Sequence, residues 1–247
     1  MSIEPLVSKP SATQVDFKTL RIIRQTENTN NVHTSIQNND PIAFKTFINE
    51  NALDRTLQYL NISFESLWEE TRNAPENYNK LLSLYMAKNA TRQGSLDEIV
   101  QLETCNKTAG TCGVQITKLP NNAIRPSKNG YIYSSADIKK NKIQKDCCLK
   151  SFDGELTGKM KGYISAKVSY GNGGHQDNVF EEMDTLAEWW TTYKKDSHEF
   201  LILLIDTDLD QKFTRIQEKY KEQKNIMVYN HIEFQNYIID TYYCDNM

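Results

Sequence analysis

The chain has 247 residues, with 29 lysines and arginines against 32 aspartates and glutamates, a net charge of -3, and 38% hydrophobic residues. This composition excludes a disordered, collagen-like or membrane-bundle protein, and the length allows one domain or a core with one appendage. With no apolar run of ~20 residues and no signal-peptide pattern, we expect an intracellular, cytoplasmic protein without a membrane partner. The slightly acidic total argues against a general nucleic-acid coat, so any DNA contact would need a local basic patch.

The N-terminal half is predicted to be an arm followed by helices. The run from residue 26 to 41 is polar and has no apolar period, so residues 1–41 are interpreted as an N-terminal arm or linker. Residues 42–110 carry apolar side chains at helical spacing, which predicts a helical subdomain. Ser95 to Glu98 has the pattern of a capping box and predicts the start of a further helix within it.

The C-terminal half, residues 111–247, is predicted to be a compact core. The period changes after Gly113, and alternating or apolar runs predict strands at 114–119, 131–133, 143–149, 162–170, 200–206 and 226–229. Glycines predict a turn at 154–158, and helices are predicted after residue 178, from 213 to 223 and from 232 to 242. The expected fold class is therefore α/β (α+β), with a mixed central β-sheet flanked by helices.

Charged residues within 148–184 could form a catalytic site. Asp153 lies at a strand end, Lys167 lies within the next strand, and Glu181 and Glu182 begin the following helix. Two carboxylates and a lysine suit metal-assisted phosphodiester hydrolysis, because carboxylates bind Mg²⁺ and an ammonium group can orient the attacking water. Each residue also has an ordinary interpretation: an exposed strand lysine, a turn aspartate, and acids that complement a helix dipole.

Residues 143–242 resemble the catalytic core of the PD-(D/E)XK nuclease superfamily, and most of all type II restriction endonucleases. In that pattern an Asp on one strand precedes a strand with (D/E)-x-K, and helix, strand, helix and strand follow. Phe-Asp-Gly at 152–154 stands where Pro-Asp-Gly is common. Ser-Ala-Lys at 165–167 stands where Glu-x-Lys is expected, so the acid of that motif is replaced by serine.

One subgroup of restriction enzymes carries Ser-x-Lys and takes a glutamate from the following helix instead, about twelve to fourteen residues beyond the lysine. Thirteen residues separate Lys167 from Glu181 and fourteen separate it from Glu182, so both fit. Helical geometry favours Glu182, which lies some 60° from the inward direction of Val179. Glu155 is a third candidate. The resemblance also implies that the backbone carbonyl of Ala166 binds the metal.

The resemblance implies a restriction-endonuclease-like fold and a Mg²⁺-dependent, site-specific deoxyribonuclease that cuts double-stranded DNA. It further implies a homodimer on a palindromic site, because a two-fold protein matches a two-fold site, and a DNA methyltransferase encoded nearby as functional partner. Two alternatives remain open. The chain could be a repair or structure-selective nuclease of the same fold, or a sequence-specific DNA-binding protein without catalytic activity.

Local charge supports DNA as the partner. Residues 139–167 carry eight lysines against three acids, a balance of +5, although a solvated hairpin would have the same composition. Further polar residues are of the types that contact bases or the DNA backbone, although an ordinary polar loop would also contain them. The candidate DNA contacts are Arg125, Lys128, Asn129, Lys161, Ser165, His175 and Gln176.

Overall fold

The computed structural model describes residues 9–50, 53–73, 75–170 and 174–243, without the side chains of 75–92 and 174–177. The elements are α1 (Phe17–Gln37), α2 (Pro41–Glu50), α3 (Asp54–Tyr59), α4 (Phe64–Asn73), α5 (Pro75–Thr111), β1 (Val114–Lys118), β2 (Ile124–Pro126), β3 (Ile132–Ser134), α6 (Ser135–Lys140), β4 (Gly154–Gly158), β5 (Gly162–Ser169), α7 (Gly174–Tyr193), β6 (Phe200–Thr207), α8 (Asp210–Tyr220), β7 (Ile226–Tyr229) and α9 (His231–Tyr242).

The chain forms two compact units, Asp16–Leu96 and the remainder of the described residues. The predicted boundaries at residues 41 and 110 differ from these, because α5 is one continuous helix that contributes to both units. Ser95 lies inside α5, so no helix begins at the predicted capping box. Residues 9–15 belong with the C-terminal residues rather than with a free arm.

The first unit is helical, as predicted, but it begins earlier in the chain. Most of the polar run at 26–41 lies in α1, so its interpretation as a linker was wrong. The N-cap Asp16 accepts a hydrogen bond from Thr19 N at 3.0 Å, and Val32 is fully buried in the cluster that also contains Phe44 and Trp68. Few positions of α1 are buried, which explains why its apolar period was too sparse to detect.

A five-stranded mixed sheet in the order β1-β4-β5-β6-β7 organises the second unit. The pairs β1·β4 and β4·β5 are antiparallel, whereas β5·β6 and β6·β7 are parallel. Strands β2 and β3 form a separate antiparallel ribbon. The predicted mixed sheet flanked by helices, preceded by an N-terminal helical region, is confirmed.

Helices cover both faces of this sheet. Alternate residues of β6 enter two cores: Ile202 and Leu204 pack with α5 and α9, and Leu201, Leu203 and Ile205 pack with α7 and α8. All five side chains are 0% exposed, so the prediction of a strand buried on both faces is confirmed.

Two local predictions before β5 were wrong. The segment predicted as a turn is β4, which pairs with β1 on one side and with β5 on the other. The segment predicted as a strand at 143–149 contains a short 3-10 helix, Lys145–Cys147. Strand β4 ends at Gly158, where φ is +90°.

None of the helices, over the residues that the structure describes, is long and apolar enough to cross a membrane.

Candidate active site

Lys167 lies near the end of β5 and contacts two carboxylates from other elements. Its Nζ atom is 3.1 Å from Glu98 Oε1 and 3.4 Å from Asp153 Oδ2. All three side chains are 17% exposed, so Lys167 is not the solvated strand lysine of the ordinary interpretation. We call Glu98, Asp153 and Lys167 the charged triad.

Asp153 directly precedes β4 and is fixed by the neighbouring strand β5. Its backbone N donates to Ile164 O at 2.8 Å, and its Oδ2 atom accepts from Ala166 N at 2.9 Å and from the Ser165 hydroxyl at 3.5 Å. The strand pair therefore sets both the backbone and the carboxylate of Asp153. Ser165, a predicted DNA contact, is buried at 3% exposure, and its hydroxyl lies beside the carboxylate of Asp153.

Glu98 was not predicted as a site residue. It lies on α5, on the helix face that also contains the buried Gln101, Leu102 and Cys105. Its sequence neighbourhood suggested only helix capping. The sequence did contain one signal, because this acidic residue falls at the helical spacing of buried residues. A carboxylate at such a position needs a partner, since burying an unpaired charge is costly.

Burial and charge act against each other in the charged triad. Burial raises the pKa of Glu98; the charge of Lys167 opposes this effect and the charge of Asp153 reinforces it. Burial acts to lower the pKa of Lys167, but Asp153, Glu98 and Glu182 outweigh it, so the pKa is raised. Lys167 is therefore an ammonium ion at neutral pH, able to donate hydrogen bonds but not to accept a proton.

Of the two predicted helix glutamates, Glu182 lies nearer to the charged triad. Its charge raises the pKa of Lys167, and its Oε2 atom pairs with Lys150 Nζ at 2.6 Å. Glu181 is exposed and lines a groove between α7 and α8. Glu155, the third candidate, lies opposite Tyr163 in the pairing of β4 with β5, and its charge contributes, after burial and Glu199, to the raised pKa of Tyr163.

The donor chemistry of the charged triad suits a hard cation. Two carboxylates surround one ammonium group, which leaves a net charge of -1, and carboxylate oxygens are the ligands that Mg²⁺ prefers. Among the described residues, however, no group of three or more His, Cys, Asp and Glu side chains is arranged to hold a metal ion. For Glu182 to act as a third ligand, its carboxylate would have to break its ion pair with Lys150.

The predicted DNA contacts do not share one location. Lys161 is exposed and directly precedes β5. The rise per residue of a strand places it about 20 Å from Lys167. Arg125 is half-buried and bonds to Asn122, and Asn129 is exposed and accepts from Ser127 Oγ. Lys128 is also exposed. His175 and Gln176 lie in the first turn of α7, and their side chains are outside the described ones.

The lysines of the predicted basic patch do not lie together in the structure. Lys159 and Lys161 lie at the opposite end of the sheet from the charged triad, so the predicted patch at 139–167 is divided. Residues 125–150 instead carry seven basic residues against the two acids Asp137 and Asp146, again a balance of +5. We call residues 125–150 the basic segment. It connects to the site region through the ion pair of Lys150 with Glu182.

A second buried polar network lies one helical turn along α5 from Glu98. Asp206 accepts from Gln101 Nε2 at 2.6 Å and lies 2.6 Å from His231 Nδ1. Because His231 Nε2 accepts from Val15 N at 3.0 Å, its Nδ1 atom carries the proton. No pattern in the sequence indicated this network, which connects Val15 to α9 through His231.

Comparison with models of protein families, with curated proteins and with solved structures finds no match to this chain.

Proposed function

We propose that the protein is a Mg²⁺-dependent endonuclease of the type II restriction class, which hydrolyses phosphodiester bonds in double-stranded DNA at a short specific sequence. The observation that carries the proposal is the charged triad, in which Lys167 contacts two carboxylates at 3.1 and 3.4 Å while all three side chains are largely buried. Burying charged groups costs stability, and buried titratable groups with shifted pKa values cluster at functional sites, which favours a functional role for this cluster.

The order of elements supports the same proposal. Asp153 precedes β4, Lys167 lies in the adjacent β5, and α7, β6, α8 and β7 follow. This is the succession of strand, strand, helix, strand, helix and strand in the nuclease core that the sequence resembles. By that resemblance the enzyme acts as a homodimer on a palindromic site, which a DNA methyltransferase protects.

Each residue has a distinct part in the proposed chemistry. Asp153 and Glu98 would hold the Mg²⁺ ion, with Glu182 and the carbonyl of Ala166 as further oxygen donors. When bound, the ion would neutralise charge on the scissile phosphate and lower the pKa of a water molecule. Lys167 would orient that water through its N–H groups. Ser165 and the backbone N of Ala166 would hold Asp153 in position.

Replacing Lys167 tests the proposed site. We expect Lys167→Met to lower the rate of DNA cleavage in Mg²⁺ by about 10²- to 10³-fold, because one preorganised donor is lost. The matched control is Lys107→Met, which removes an exposed lysine of α5 and should cut at the wild-type rate. Circular dichroism and thermal unfolding of both variants check their folding. A folded Lys167→Met protein that cuts like the wild type would exclude this site.

A non-catalytic DNA-binding protein is the second candidate. It is favoured by the ion pairs of Lys167, which already satisfy Glu98 and Asp153, and by the lack of a three-ligand metal group among the described residues. Its signature would be sequence-specific binding that EDTA does not change, with no strand scission in Mg²⁺ or Mn²⁺.

A further inference from the structure

The ribbon of β2 and β3 presents an aromatic and cationic face. Ile124 and Ile132 pack towards the core that contains α7. The alternate residues Arg125 and Tyr133 are cross-strand partners on the other face. The ring of Tyr131, which is 63% exposed, stacks on Tyr133 with centroids 5.9 Å apart and an interplanar angle of 26°.

This ribbon is held rigidly at its turn. Trp189 Nε1 donates to Ser127 O at 2.6 Å, and Tyr193 OH donates to Lys128 O at 3.1 Å. Gly130 has φ +90°, and a Cβ there would lie 2.6 Å from the Tyr193 ring, so only glycine fits. The side chains that anchor the ribbon come from α7, the helix that carries Glu182.

The chain around the two tyrosines is strongly basic. The basic segment includes Arg125 and six exposed lysines, and its net charge of +5 contrasts with the -3 of the whole chain. A polyanion is the ligand that this surface attracts. The exposed lysines are Lys128, Lys139, Lys140, Lys142, Lys145 and Lys150.

We infer that Tyr131 and Tyr133 form a stacking platform for an unpaired DNA base, whose strand the basic segment holds. Aromatic side chains beside cations bind single strands because every unpaired base has a free face for stacking. Within an intact duplex these faces are covered by neighbouring bases. The inference rests on the proposed DNA substrate and refines it: a base extruded from the duplex at the recognised sequence would stack on the two tyrosines.

Binding without cleavage tests the inference. Fluorescence anisotropy in EDTA would compare a labelled DNA strand of about 12 nucleotides, the perfect duplex, and the duplex with one extrahelical base. We expect the wild type to bind the first and third ligands more tightly than the perfect duplex. Tyr131→Ala should weaken both about tenfold and change perfect-duplex binding by less than about twofold, since only unpaired bases stack.

Two further variants control this measurement. Tyr131→Phe keeps the ring and should bind like the wild type, whereas Tyr59→Ala removes a tyrosine that is 89% exposed on α3 and should have no effect. An RNA strand of the same sequence separates the two sources of an unpaired base. Tighter binding of RNA than of DNA would contradict the inference, as would Tyr131→Ala binding of the single strand at wild-type affinity or equal losses on all three DNA ligands.

This result is separable from the test of the nuclease. If Lys167→Met abolishes cleavage but Tyr131→Ala binds normally, the platform is wrong and the proposed function stands. If the wild type never cleaves DNA but shows the expected ligand preference and its loss in Tyr131→Ala, the platform stands and the catalytic proposal falls.

Discussion

Lys167 and Lys219 both have raised pKa values and both contact two carboxylates, yet their surroundings differ. Lys219 Nζ lies 2.7 Å from Asp184 and 2.9 Å from Glu188, and its side chain is 44% exposed. Lys167 is largely buried, and of its two carboxylates Glu98 lies on α5 and Asp153 directly precedes β4. Exposed ion pairs contribute little to stability, and buried ones carry a large desolvation cost. Burial therefore distinguishes the candidate site from a surface ion pair.

The Asp184 pair predicts an acid-dependent contribution to stability. Partial burial raises the pKa of Asp184, but hydrogen bonds from Lys219 and Tyr220 outweigh this, and the pKa is lowered below its ordinary 3.8. The carboxylate therefore stabilises the fold above the unfolded pKa, and this stabilisation disappears as pH falls through the folded pKa. We expect Asp184→Asn to lower the free energy of unfolding at pH 7 by less than about 1 kcal/mol, and by nothing near pH 2.

Urea unfolding across this pH range would measure the effect. The control is Asp146→Asn, at an exposed position, which should leave the free energy of unfolding at pH 7 unchanged. A destabilisation by Asp184→Asn that is the same at pH 7 and pH 2 would contradict the ionic origin of the effect.

Among the elements, the segment at residues 9–15 depends on α9 for its attachment. Gln235 is 1% exposed; its amide accepts from Thr13 N at 2.9 Å and donates to Thr13 O at 3.0 Å. The same side chain also accepts from Thr108 Oγ1 at 2.7 Å and donates to His231 O at 2.9 Å. One side chain thus joins the N-terminal segment, α5 and α9.

Removing that side chain should destabilise the fold. We expect Gln235→Ala to lower the free energy of unfolding by about 2–3 kcal/mol, because buried donors and acceptors lose their partners. Urea unfolding measures the loss, and Gln115→Ala, at an exposed position of β1, is the control. A loss below about 0.5 kcal/mol for Gln235→Ala would mean that water replaces these bonds without cost.

Periodicity predicted the elements with strong apolar patterns and missed those with weak ones. Strand β6 and helix α7 were found because Leu201 to Ile205 are all buried and because Met183, Leu186 and Trp190 form one buried stripe. Helix α1 and strand β4 were missed because few side chains of α1 are buried and because glycines bound β4. Whether such segments form a helix or a strand depends on tertiary packing, which the local sequence pattern does not show.

Across the whole molecule, the sequence indicated two of the three residues of the charged triad. Asp153 and Lys167 could be predicted because they lie fourteen positions apart on adjacent strands. Glu98 lies 55 positions before Asp153, and the fold alone brings its carboxylate to Lys167. The same holds for the basic residues. Their number along the chain indicated a basic region, but only the pairing of the strands shows which lysines lie near the charged triad.

The most direct test of the central claim is the digestion of a fully sequenced plasmid by the wild-type protein in Mg²⁺, with every fragment end mapped. We predict a defined set of fragments whose ends share one short sequence, and no cleavage when EDTA is added. Random nicking, or intact plasmid in both Mg²⁺ and Mn²⁺, would contradict a site-specific nuclease built on Glu98, Asp153 and Lys167.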